Sequence, residues 1–260
     1  MSYRTLLSAD QGAVRTLTIN RPDKLNALNR EVIAELSVAF GQAAQDDAVR
    51  VVVLTGAGPK AFVAGADIGE MAALDPVELR DFSRRGQALM RSIERLGKPV
   101  IAALNGFALG GGFELAMAAH LRLAADNARI GQPEVKLGLI PGFGGTQRLP
   151  RLAGRAAALE LCLAGEPIDA QRAHQLGLVN QVLPAADLMA GALALATRLA
   201  ALAPQALRGV IDAVVLGADM ATDQGLDYET QLFAVLASTA DMREGTQAFM
   251  DKRAPVFGGR

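Results

Sequence analysis

The sequence predicts an α/β protein that ends in a helical layer. Three observations carry that prediction. Apolar, β-branched runs suited to buried strands alternate with segments of helical period through the first part of the chain. The strand signal stops after Pro184, and the chain from there to its end has helical period. A length of 260 residues is long for one domain and short for two full ones, and with 51% hydrophobic residues it can bury a large core.

Taken in order, residues 14–20 (VRTLTIN) alternate like a half-buried or edge strand, and Arg21-Pro22-Asp23 breaks the run. Asn29 then stands where a helix N-cap is expected, with Val32, Leu36, Ala39 and Phe40 on one helical face. Residues 51–54 are an unbroken β-branched and leucine run for a buried strand, ended by Gly56-Ala57-Gly58-Pro59. Pro76 opens a helix that turns Leu79, Phe82, Leu89 and Ile93 inward. Residues 99–104 are the next buried strand, and 121–124 a third. Segments 187–203, 204–216, 222–238 and 241–252 read as helices. Strands joined by crossover helices imply layered α/β architecture.

Composition narrows the function classes. The net charge is −1 at pH 7 and aromatic residues are 4%, so no basic stripe points to nucleic acid. One cysteine, Cys162, rules out an internal disulfide and reads as a buried structural thiol among Leu159, Leu161 and Leu163. Residues 1–12 lack a charged segment followed by an apolar one, so no secretory signal is expected. The apolar run 188–197 is too short to span a bilayer. The expectation is a cytoplasmic protein that binds neither nucleic acid nor membrane. No phosphate-binding loop ending in Lys-Ser or Lys-Thr is present, and no Gly-x-Ser-x-Gly elbow. His120 and His174 have no cysteine or histidine companions and read as packed or surface residues, so no metal site is expected.

Two glutamates stand out. Glu114 lies in Gly110-Gly111-Gly112-Phe113-Glu114-Leu115-Ala116, and Glu134 in Gly131-Gln132-Pro133-Glu134. Read alone, Glu114 is a carboxylate offsetting a helix dipole, and Glu134 is a loop charge. Against that, Phe113, Leu115, Ala116, Met117 and Ala118 make the first helix apolar almost all round, and a carboxylate buried there needs a reason. The glycines let backbone approach a ligand, and a helix starting at such a turn offers it unpaired N–H groups. Ala64-Gly65-Ala66-Asp67-Ile68 is either an ordinary turn or a second backbone donor, at Ala66, facing the one at Gly111.

At this point the chain resembles the crotonase, or enoyl-CoA hydratase/isomerase, family. The resemblance runs almost end to end, through Asn20-Arg21-Pro22 with Leu25-Asn26-Ala27-Leu28, the 61–68 segment, Lys98-Pro99-Val100 leading to Gly110–Ala116, Gln132-Pro133-Glu134, and Gly144-Gly145-Thr146-Gln147-Arg148-Leu149. It implies a spiral of ββα units over residues 1–195 holding the CoA-binding and catalytic site, then a helical oligomerisation region, 196–260, that forms trimers stacked as a hexamer. It implies that the Ala66 and Gly111 amides hold the thioester oxygen. Glu114 would activate water, Glu134 would exchange a proton with the α-carbon, and Gly142 would touch the water. Ala64, Asp67 and Ile68 match the adenine loop, Lys24 a phosphate contact, and Lys252, within Phe249–Arg253, a segment reaching a neighbour's CoA. No cofactor is implied beyond the CoA of the acyl-CoA substrate.

Within that family both glutamates are found together in the hydratases, which implies reversible syn hydration of a trans-2-enoyl-CoA in fatty-acid β-oxidation or related acyl-CoA degradation. An isomerase or thioester hydrolase, and a non-catalytic CoA- or RNA-binding homologue, are the competing readings. Phe113 and Phe143 are larger than the residues common at these positions, so either ring is expected to reshape the acyl tunnel if it faces it.

Overall fold

A run of unbroken apolar residues forms a strand only where both of its faces are covered, and the computed structural model, which describes residues 3–260, supplies both covers. Met1 and Ser2, the start of the stretch read above for a signal segment, lie outside these residues.

β1 (Leu6–Gln11) and β2 (Val14–Ile19) form an antiparallel hairpin. α1 (Arg30–Gln45) is capped by Asn29, whose side chain accepts the Val32 N–H at 2.9 Å, and it buries the predicted Val32, Leu36, Ala39 and Phe40 face. A unit then repeats. β3 (Val51–Gly56) joins the β1–β2 sheet, β4 (Ala61–Val63) starts a second sheet, and α2 (Ile68–Met71) and α3 (Pro76–Glu94) lead back. Asp75 and Glu78 form a reciprocal capping box at the start of α3. β5 (Val100–Leu104), β6 (Phe107–Leu109) and α4 (Gly111–Ala118) form the next unit. β7 (Leu121–Ala125), β8 (Arg129–Gly131) and α5 (Gly145–Ala164) form another. The chain continues through β9 (Ile168–Asp169), α6 (Ala170–Gln175), β10 (Gln181–Leu183), α7 (Leu188–Ala200), α8 (Pro204–Gly217), α9 (Thr222–Leu236) and α10 (Ala240–Met250).

Each unit therefore gives one strand to each sheet, which is the expected spiral of ββα units. The larger sheet has the order β1-β2-β3-β5-β7-β10 and the smaller β4-β6-β8-β9. Apart from the β1–β2 and β8–β9 pairs, neighbours run parallel. In β3 and β5 alternate residues enter two cores. Val52, Leu54, Val100, Ala102 and Leu104 face the core shared with α1, α3 and α4. Val51, Val53, Ile101 and Ala103 face Leu188, Ala192 and Ala196 of α7. A fully buried Val or Leu is worth about 1.5–3 kcal/mol, so this double coverage stabilises the strands that carry the site.

The division drawn from sequence at 195/196 falls inside α7, which packs along its length on the larger sheet through Leu188, Ala192, Ala196 and Ala200. Beyond it, Val210, Val214, Phe233 and Phe249 are exposed on α8, α9 and α10. Cys162 is only half-buried, because α5 is amphipathic and leaves Leu159 and Leu163 in solvent. His120 is a packed residue, its Nδ1 accepting the Val100 N–H at 2.9 Å.

Candidate active site

The three short strands β4, β6 and β8 run parallel, and the glycine-rich turns follow their carboxyl ends. Residues 64–67 follow β4, Gly110-Gly111 follow β6, and Gln132-Pro133-Glu134 follow β8. In a parallel sheet such ends gather loops from separate crossovers into one place. Here they enclose a cavity of about 280 Å³ with α3 and the 137–143 segment.

The turn after β4 is held from behind. Leu25 and Asn26 adopt left-handed backbone, with φ of 50° and 59°. That conformation costs on the order of 1 kcal/mol or more per residue, and here buried hydrogen bonds offset it. Asn26 Nδ2 donates to the Ala57 and Ala61 carbonyls at 3.0 and 2.8 Å, and its Oδ1 accepts the Arg21 N–H at 3.0 Å. The strained segment then grips the turn: Ala64 N–H donates to Leu25 O, Leu28 N–H to Gly65 O, and Asp67 N–H to Leu28 O. This bridge uses the groups on either side of Ala66 and leaves the Ala66 N–H without a partner among the described residues. Gly110, with φ +51° and ψ −127°, turns β6 into α4, and the Gly111 N–H at the helix start is likewise unpaired among them. A methyl placed on Gly111 would lie 3.6 Å from the Ala66 nitrogen, so the two donors flank one small space. Two backbone donors converging in a dry pocket stabilise an oxyanion, each by about 3 kcal/mol in the transition state.

Both glutamates line the cavity. Glu114 is 1% exposed; its Oε1 accepts the N–H groups of Phe143 at 2.8 Å and Gly145 at 2.6 Å. Burial pushes its pKa up to about 7, against the pull of those N–H groups and of the Arg148 guanidinium. Glu134 opens a single 3-10 turn and abuts Gly110, its Oε1 lying 2.9 Å from where a Cβ there would sit. Burial, and after it the Glu114 charge, push its pKa up to about 7 as well. With its amide nitrogen facing the carboxylate, buried Gln132 donates to Glu134 Oε1 and Oε2 at 2.9 and 3.1 Å. One carboxylate that takes a proton and one that gives it, beside an oxyanion site, can carry out addition of water next to a carbonyl.

The raised pKa of Glu114 has a consequence for stability. A carboxyl at about 7 when folded and 4.5 when unfolded contributes fully below pH 4.5, and that contribution is lost as pH rises through 7. The loss is on the order of 3 kcal/mol above neutrality. Glu114→Gln keeps an oxygen for the Phe143 and Gly145 N–H groups and removes the titration. The variant is expected to melt several degrees above the wild type at pH 8, with the gap closing by pH 5. Equal melting temperatures at pH 8 would show that ionised Glu114 carries no such cost.

The remaining sequence-derived residues are distributed unevenly. Ala64, Ile68 and Gly142 line the cavity. The Gly142 carbonyl is occupied by Ser83 Oγ at 2.6 Å and Gln87 Nε2 at 3.0 Å, which leaves its N–H as the group that can face a ligand. Asp67 caps α2 and pairs with Arg21 at 3.0 Å. Burial pushes its carboxyl up, but the Arg21 hydrogen bond, the Glu70 N–H and the Arg21 and Lys24 charges outweigh this and hold it below the usual range. Lys24 ends the 3-10 turn Pro22–Lys24 and Lys252 follows α10; neither lines the cavity of its own chain. Phe113 is fully buried in the core and does not face the cavity, so only Phe143 reshapes it. Sequence reasoning gave no role to the Asn26 side chain, to Gln132, to the Arg148–Glu94 pair behind the Phe143 turn, or to Gly86, which lies under the Phe143 ring.

A family model described as enoyl-CoA hydratase/isomerase matches residues 9–260. The short-chain-enoyl-CoA hydratase of Clostridium acetobutylicum is 44% identical over 97% of this chain and 97% of its own. The 2,3-dehydroadipyl-CoA hydratase of Escherichia coli is 42% identical over 98% of this chain and 99% of its own. Among solved structures, an enoyl-CoA hydratase from Bacillus anthracis superposes with a TM-score of 0.96 at 39% identity, covering 99% of this chain and 100% of that one.

Proposed function

The chain belongs to the enoyl-CoA hydratase/isomerase family, and from that premise we propose that it is an enoyl-CoA hydratase, adding water reversibly and syn across a trans-2-enoyl-CoA to give a 3-hydroxyacyl-CoA. The observation that carries this reading is the pair of carboxylates, Glu114 and Glu134, both with pKa values near 7, in one cavity with the unpaired Ala66 and Gly111 N–H groups.

The thioester oxygen accepts from the Ala66 and Gly111 N–H groups, which draws electrons from the double bond and leaves the β-carbon electrophilic. Ionised Glu114 takes a proton from water as the water oxygen bonds to the β-carbon. The π electrons pass through the α-carbon to the thioester oxygen, and the negative charge grows where the two donors point. Protonated Glu134 gives its proton to the α-carbon as the carbonyl re-forms. Glu114 ends protonated and Glu134 ionised, and exchange with solvent resets them. The Gly142 N–H is proposed to hold the water, a reading supported by its position in the cavity wall with its carbonyl already occupied. Ala64, Asp67, Ile68 and Lys24 are proposed to meet the CoA. The exposed apolar residues of α8 to α10 support a homo-oligomer, proposed to be a hexamer in which Lys252 meets a neighbour's CoA.

Crotonyl-CoA tests the reading directly. The protein is expected to remove its conjugated thioester absorbance and form 3-hydroxybutyryl-CoA. If a 3-enoyl-CoA is converted to the 2-enoyl isomer while crotonyl-CoA takes up no water, the protein is an isomerase and the hydratase reading fails.

A further inference from the structure

We infer that the acyl chamber is built for a short, uncharged enoyl chain, and that Phe143, seated on Gly86, sets its depth. This rests on the hydratase reading and adds to it the class of acyl group.

The first observation is chemical. Met71, Leu79, Phe82, Leu139, Ile140 and Phe143 supply the apolar lining. Among the described lining residues the only ionisable side chains are Glu114 and Glu134, and no Lys, Arg or His joins them. An acyl chain ending in a carboxylate would bring a second negative charge, beside ionised Glu114, into a desolvated space whose described lining holds no cation, and burial already pushes both lining carboxyls up. A methyl-ended chain meets only apolar surface. The 2,3-dehydroadipyl-CoA hydratase relative has a charged acyl group in its name, so family membership alone leaves the choice open and the cavity lining decides it.

The second observation is geometric. A Cβ on Gly86 of α3 would overlap the Phe143 ring, lying 2.7 Å from its Cγ. The absence of a side chain at Gly86 therefore lets the ring pack on the helix. The ring also meets Phe82 edge to face, with centroids 5.3 Å apart and planes at 62°. Its opposite edge, Cδ2 and Cε2, lies 3.1 Å from where a Cβ on Gly111 would sit. The ring thus spans the space from α3 to the oxyanion turn, across the route a chain takes as it leaves the thioester.

The third observation is that the turn carrying the ring cannot move aside cheaply, while the ring itself is packed between Gly86 and Phe82. The Phe143 N–H donates to Glu114 Oε1 at 2.8 Å, and the Phe143 carbonyl accepts from Arg148 Nη1 at 2.9 Å. Arg148 is itself held by both Glu94 oxygens at 2.6 and 2.7 Å. Displacing the turn that carries the ring would break the hydrogen bond that orients the water-activating carboxylate. A long chain is therefore penalised in fit and in chemistry together.

The experiment compares kcat/KM for crotonyl-CoA, trans-2-decenoyl-CoA and 2,3-dehydroadipyl-CoA in the wild type, Phe143→Ala and Phe143→Leu. The wild type is expected to favour crotonyl-CoA over both others by about a hundredfold. Phe143→Ala should narrow the crotonyl-to-decenoyl ratio by at least about tenfold and leave the bias against the dicarboxylate in place. Phe143→Leu should move the ratio the same way by less, and it serves if the alanine variant does not fold. A wild type that hydrates the ten-carbon or the dicarboxylic substrate as well as crotonyl-CoA overturns the inference. So does a ratio unmoved in a folded variant. Dissociation constants for butyryl-, decanoyl- and adipyl-CoA, measured by calorimetry, read the chamber without the reaction. A protein that prefers butyryl-CoA but hydrates nothing would sink the hydratase reading and leave the chamber assignment standing.

Discussion

Glu114→Gln and Glu134→Gln are each expected to lower hydration of crotonyl-CoA by about a hundred- to ten-thousand-fold, with folding intact. The amides are near in shape, and the glutamine side chain in Glu114→Gln can still accept from Phe143 and Gly145, so the loss falls on proton transfer and not on the pocket. The double variant should fall short of the product of the single effects, because in the proposed mechanism the two groups act on one water and one substrate. A second readout separates them. In the proposed mechanism, exchange of the α-hydrogens of butyryl-CoA with deuterated solvent needs Glu134 and the two N–H donors, but no water addition. It should survive in Glu114→Gln and vanish in Glu134→Gln. Loss of exchange in both, or in neither, would refute the division of roles.

The pH profile follows from the same pair. The proposed mechanism needs Glu114 ionised and Glu134 protonated, and both groups are pushed to about 7. Below that range Glu114 gains its proton and the rate falls; above it Glu134 loses its own and the rate falls again. Hydration kcat/KM is expected to be bell-shaped about neutrality, with flanks that belong to the coupled pair and not to either residue. Each single glutamine variant should lose one flank of whatever activity remains. A profile flat between pH 5 and 9 would mean that neither carboxyl titrates where its burial places it.

The parts of this site legible in the sequence are those whose chemistry is local. Three consecutive glycines before an all-apolar helix, with one glutamate inside it, already imply a buried carboxylate beside bare backbone, and Glu114 is buried where that pattern places it. The buried strands β3 and β5 are legible because both faces are apolar, and α1 and α3 because each has one apolar face. The strands β4, β6 and β8 are not, since three residues hold no period. Yet their carboxyl ends assemble the site. Nor is Gln132 legible as the partner of Glu134, because only the turn at Pro133 folds its amide back onto that carboxylate. Phe143 and Gly86 lie 57 positions apart, and nothing local in either marks the other. Asn26 resembles a turn residue, which it is, but its side chain binds carbonyls on both sides of the β3–β4 turn. What could not be read is contact across separate crossovers, which the spiral creates and no window of sequence contains.

Gly112→Ala should damage stability and activity together. On helix propensity alone alanine at this position of α4 would be favoured by about 1 kcal/mol. Packing reverses the sign. A Cβ there would overlap the Val63 carbonyl oxygen and lie 2.7 Å from the Val63 Cβ, at the end of β4. A backbone carbonyl in a sheet cannot rotate away as a side chain can, so α4 and β4 must separate, at a cost of about 1–3 kcal/mol or more. The same movement parts the donors, because Gly111 precedes the substituted residue and Ala66 lies three residues beyond Val63. Losing the alignment of one donor costs about a hundred- to a thousandfold in kcat. Gly41 in α1 is the fair comparison, since it is exposed and a Cβ there meets nothing within 4 Å. Gly41→Ala should raise stability by up to about 1 kcal/mol and leave activity alone. Measured together by denaturant titration and crotonyl-CoA turnover, the two alanines should move in opposite directions on stability, with only Gly112→Ala losing activity. A Gly112→Ala protein as stable and as active as the wild type would show that close approach of α4 to β4 does not hold the oxyanion site in register.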